Sequence, residues 1–127
     1  MIPLLIAAGI VGAGIGAVVA LNWDEIKEWL SDIINKIKTY WRRYKPLAKK
    51  VASVIAEKYI KNGHPVIRIM YRLFYKEDNS NKWNELEDLP TREVNEEELP
   101  PSIRAKMRRA EQVDITDDMQ RELKLEI

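Results

Sequence analysis

The chain has 127 residues, and its 21 Lys/Arg against 20 Asp/Glu leave a net charge of +1. There is no cysteine and a single histidine, His64, which excludes disulfides, thiolate zinc sites, cysteine nucleophiles and His-rich metal centres. The charge is uneven: residues 24–76 hold thirteen basic and five acidic side chains, residues 77–127 eight and fifteen. A basic half is therefore offered to an anionic partner, and an acidic half either turns away from it or folds back on it.

Residues 2–21 carry no charged and no strongly polar side chain. As a helix rising 1.5 Å per residue they would reach roughly 30 Å, the thickness of a bilayer's hydrocarbon core, so residues 1–22 read as a transmembrane helix. Pro3 suits its first turn. Ala8, Gly12, Gly16 and Ala20 recur every four residues and would form one small-residue face, a glycine zipper for helix self-association. Trp23 follows at headgroup level. The segment has no basic n-region, which argues against a cleaved signal peptide; a buried helix of a soluble assembly is the competing reading. Basic residues flank it only on the C-terminal side, so the amino terminus is expected outside the inner membrane and the remainder in the cytoplasm.

Residues 23–63 read as an amphipathic helical hairpin. In the first arm Ile26, Leu30, Ile33, Ile37, Tyr40 and Tyr44 repeat at 4-3-4-3-4, widened by Trp29, Ile34 and Trp41, a broad apolar stripe that must be covered. Asn22 or Asp24 can cap it. Pro46 breaks it, and Leu47, Val51, Val54, Ile55 and Tyr59 give a second helix stopped by Asn62-Gly63. Seven basic residues, Lys36, Lys38, Arg42, Arg43, Lys45, Lys49 and Lys50, lie within fifteen positions over the final turns of the first helix and the segment that follows. Interleaved with aromatics, this run fits an anionic lipid surface, with Trp23, Trp29 and Trp41 at the membrane interface. The same composition serves nucleic-acid phosphates, but no nucleic-acid-binding signature accompanies it, and nucleic acid is the weaker expectation.

Residues 64–94 read as a β-hairpin region. Ile67, Ile69, Tyr71, Leu73 and Tyr75 alternate with Arg68 and Arg72, the period of a strand, and KWNELED offers a weaker return strand. Residues 95–127 read as a polar helical segment: Asn95 caps an acidic turn, Pro100-Pro101 opens a helix, and Thr116 caps a last amphipathic stretch. The acidic terminus reads as a segment for docking a protein partner. No nucleophile elbow, phosphate loop or convergent carboxylate pair is present in the sequence, so an enzyme is not expected, nor a cofactor or a metal.

The expectation is thus a mainly α protein with minor β content, spanning the membrane once and self-associating. It would act as a scaffold or, by analogy with small toxins and defence effectors, as a pore-forming or membrane-perturbing assembly. A soluble oligomeric helical adaptor and a basic-patch nucleic-acid-binding protein are the alternatives.

Overall fold

A computed structural model describes residues 20–44, 49–77, 80–87 and 89–127. Helix α1 (Trp23–Tyr44) is followed by two long strands, β1 (Lys49–Lys61) and β2 (His64–Lys76), then by β3 (Asn84–Glu85) and β4 (Thr91–Asn95). A 3-10 turn (Glu96–Glu98), helix α2 (Pro101–Met107), strand β5 (Gln112–Asp114) and helix α3 (Thr116–Leu123) complete the chain. All strand pairings are antiparallel: β1 and β2 pair along their full lengths, β5 adds to the outer edge of β1, and β3 and β4 share the outer edge of β2.

Helix α1 starts on a capping box. The Glu25 N–H donates to Asn22 Oδ1 at 2.8 Å, and the Asn22 N–H donates to Glu25 Oε1 at 3.2 Å, satisfying two of the orphan donors of the first turn. Asp24 and Glu25 in the first turn and Arg42 and Arg43 in the last complement the helix dipole. Its stripe is buried as the 3.6-residue period requires: Ile26, Leu30, Ile33, Ile34, Ile37 and Trp41 lie against Val54, Ala56, Ile67, Ile69, Tyr71 and Leu73. Burying each large side chain contributes about 1.5–3 kcal/mol relative to leaving it in water. Leu99, Ile103 and Met107, then Ile115 and Met119, join the same core, so all three helices supply residues to one face of the sheet.

The architecture corrects the expected mainly α fold: the protein is α+β around a five-stranded antiparallel sheet. The second arm of the expected helical hairpin is strand β1. Val54 and Ala56 are buried at a spacing of two, and thirteen residue pairs join β1 to β2. Asn62 at φ 52° and Gly63 at φ 79° do not stop a helix; they are the two positive-φ residues of a tight hairpin turn that matches the twist of its strands. In β2 the alternation reads correctly, with Ile67, Ile69, Tyr71, Leu73 and Tyr75 all buried.

The membrane reading is also corrected. Among the described residues no helix is long and apolar enough to cross a membrane; α1 has the length but is charged along its outer side. This overturns the expected single-span protein with its amino terminus outside an inner membrane, and with it the scaffold or pore acting in the bilayer. Most of the expected span, including Ala8, Gly12 and Gly16, lies outside the described residues. At its expected end Ala20 and Leu21 are not helical: Leu21 bridges Val94 in parallel, and its N–H donates to the Glu93 carbonyl at 2.8 Å. The three tryptophans serve the fold rather than a lipid interface. Trp23 and Trp29 are half-buried against the core and Trp41 lies within it.

The acidic half folds back on the basic one. Lys58 pairs with Glu96, Lys61 with Glu93 and Arg72 with Glu85, at 3.4, 3.3 and 2.9 Å. These pairs are partly exposed, so each contributes little to stability, but together they consume much of the basic charge along β1 and β2.

Candidate functional site

Basic charge left over from this pairing gathers at one end of the molecule, where the last turns of α1 meet the first residues of β1. Lys38 and Arg42 are four residues apart and therefore share a flank of the helix. Lys50 reaches them from β1. On the sheet, Lys50, Ala52, Val54 and Ala56 alternate onto the helix-facing side, and Val54 and Ala56 carry that side into the core. Lys38, Arg42 and Lys50 line a cleft of about 580 Å³, completed by Trp41, Val51, Ala52, Glu126 and Ile127.

Trp41 closes the floor. It is 5% exposed and meets Tyr75 edge-to-face, with ring centroids 5.6 Å apart at 64°, a favoured aromatic geometry. A base could not stack on a ring held this way. On the third wall, Lys38 Nζ donates to the backbone carbonyl of Glu126.

The electrostatics of the cleft are those of crowded cations. Burial, and after it the charge of Lys38, push the Lys50 amine below the ordinary lysine range, while Glu126 opposes them. A half-buried ammonium beside another cation is destabilised in its charged form, and a bound anion would favour that charged form by direct attraction. The backbone adds donors. Val54 directs its N–H to the outer edge of β1, where Thr116 Oγ1 accepts it; by the two-residue repeat, Lys50 and Ala52 direct theirs to the same edge, on the cleft side. The helix C-terminus carries roughly half a negative charge, which accounts for part of the basic cluster at this end but not for three cations around one cleft.

Of the seven basic residues singled out from the sequence, the structure brings Lys38, Arg42 and Lys50 together. Lys36 and Arg43 lie on the other flank of α1, around a shallow groove with Asn35, Thr39 and Tyr40. Lys49 points to the opposite face of the sheet beside Lys76, its cross-strand partner. Lys45 lies outside the described residues. Of the self-association face only Ala20 is described, half-buried and outside any helix. Sequence reasoning missed Glu126 as a wall of the cleft and the β1 backbone as a donor edge. The first had no local signal, and the second required β1 to be recognised as a strand.

Among the described residues no group of three or more His, Asp or Glu side chains is placed to hold a metal ion. His64 is exposed at the hairpin turn, and Glu97 and Glu98 are exposed on the 3-10 turn. In comparisons with known proteins, no family model, no curated protein and no solved structure matches this chain.

Proposed function

We propose that this chain is a non-catalytic binding module that takes a compact, phosphate-bearing polyanion in the cleft between α1 and β1. The observation that carries the reading is the convergence of Lys38, Arg42 and Lys50 on one bounded space, with Lys50 destabilised as a cation by burial and by its neighbour. Phosphate oxygens would accept charge-assisted hydrogen bonds from the three side chains and from the β1 edge. Three clustered cations beside a buried aromatic ring favour a small phosphorylated molecule over a nucleic-acid strand, which needs cations along a track and exposed rings for stacking.

The test is titration of the full chain with inorganic triphosphate, followed by calorimetry and by tryptophan emission, since Trp41 lines the cleft. Saturable binding at physiological salt is expected, weakened at least about tenfold by Lys38→Glu with Lys50→Glu, because each charge-assisted contact contributes about 1.5–3 kcal/mol. Lys36→Glu with Arg43→Glu, on the other flank, should change affinity less than about twofold. No saturable binding, or equal loss in both double variants, overturns the reading.

A further inference from the structure

The side of the sheet turned away from the helices carries its own ordered pattern. Along β1 and β2, apolar cross-strand rows alternate with polar ones: Val51 faces Phe74, Ile55 faces Met70 and Tyr59 faces Val66, separated by Ser53 with Arg72 and Glu57 with Arg68. None of these six apolar residues packs into the core cluster on the helix side, and all but Val66, which is 7% exposed, keep part of their surface open. Val51 is 56% exposed. The arginines sit over the rings, Arg68 Cζ at 4.6 Å from the centre of Tyr59 and Arg72 Cζ at 5.1 Å from that of Phe74. Glu57 and Arg68 approach to 3.5 Å with side chains 35% and 39% exposed, so each keeps bonding capacity directed outward.

We propose that this face is a two-fold interface between two copies of the chain. A two-fold axis lying parallel to the strands, between β1 and β2, keeps every row at its own height and exchanges the strands. Each apolar row then meets the same row of the other copy, Val51 against Phe74 of the partner subunit and Ile55 against Met70 of the partner subunit. In the charged row Glu57 meets Arg68 of the partner subunit, and the exchange repeats symmetrically, as a closed isologous contact demands; the Lys49–Lys76 row, which the same operation would set against itself, lies at the strand ends and marks the solvated rim.

Thirteen-residue strands extend roughly 43 Å, and two strands about 4.8 Å apart give a face of roughly 400 Å² per copy before the shorter β3 and β4 are added, a small interface whose dimer should be correspondingly weak; two sheets packed face to face about 10 Å apart would interdigitate these side chains.

Sedimentation equilibrium of the full chain tests the interface. The wild type should form a dimer dissociating in the micromolar range. Glu57→Arg and Arg68→Glu should each be monomeric, since both place like charges across the axis. Mixed one to one, the two variants should recover a heterodimer, and the double variant should dimerise by itself. A wild type that is monomeric at about 100 μM overturns the interface, as does a dimer indifferent to both single changes. Failure of both the mixture and the double variant to associate overturns the strand-exchanged geometry.

Discussion

Val54 donates its backbone N–H to the hydroxyl of Thr116 at 3.0 Å, joining the centre of β1 to the first residue of α3. The contact belongs to a short chain. Thr116 in turn donates to Asp114 Oδ1 at 2.5 Å, and the Ile115 N–H donates to the Val54 carbonyl at 2.9 Å. Strand β5 is only three residues long, and the Thr116 side chain continues the pairing of β1 beyond it. Thr116→Val preserves shape and leaves the Val54 N–H without that acceptor. The expected cost is about 1–3 kcal/mol, read as a lower urea midpoint with an unchanged slope.

Tyr71 is buried to 2% exposure, and its hydroxyl meets no hydrogen-bond partner among the described residues. Burial pushes its phenol well above the ordinary tyrosine range. Because the folded-state value is raised, the unfolded chain loses its proton first as pH climbs past about 10. Stability should then fall by up to about 1.4 kcal/mol per pH unit through this side chain. Tyr71→Phe should flatten that alkaline decline and, at neutral pH, leave stability unchanged or raised by about 1 kcal/mol, since it removes an unpartnered buried hydroxyl. Denaturation midpoints of both proteins between pH 7 and 11 decide it.

At the hairpin turn, Gly63 sits at φ 79° with nothing within 4 Å of where a Cβ would stand. The cost of Gly63→Ala is therefore conformational and not steric, about 1 kcal/mol. Thermal unfolding should show a matching drop, whereas a decrease several times larger would mean the turn is crowded.

If Lys50 contributes its charge to anion binding, affinity depends on the pH at which it loses that charge. Its amine is pushed down by burial and by Lys38, so affinity is present while Lys50 is protonated and is lost as pH rises through this lowered value. Binding of triphosphate should weaken on alkaline titration before ordinary lysines, near 10.4, deprotonate. Lys50→Arg keeps the charge and should abolish that early decline.

The contrast between α1 and β1 explains how much of the fold could be read from the sequence. Helix α1 was legible because its stripe mixes spacings of three and four, which only a helix places on one side. In β1, Val51, Ile55 and Tyr59 are spaced by four, and a spacing of four returns to the same face on a helix and on a strand alike. The side actually buried displays Ala52, Val54 and Ala56, too small to announce a core. The decisive signal was Asn62-Gly63 between two runs capable of alternation, and it also fits a helix stop. The cleft was half legible: Lys38, Arg42 and Lys50 are conspicuous as charges, but their convergence depends on β1 being a strand that runs back beneath α1.

A sheet must also defend its borders. Among the described residues, the outer edge of β1 is covered by Thr116, β5 and the Glu111 carbonyl from Val54 to Lys58. Beyond that, at its first residues, the backbone of Lys50 and Ala52 faces outward. A bare edge is a template on which a foreign strand can grow, and charge, above all lysine, is what discourages it. Lys49 and Lys50 stand at that border. The Lys50 ammonium, which also lines the cleft, thus guards the protein against edge-to-edge aggregation, and replacing it with a β-branched residue would remove both properties at once.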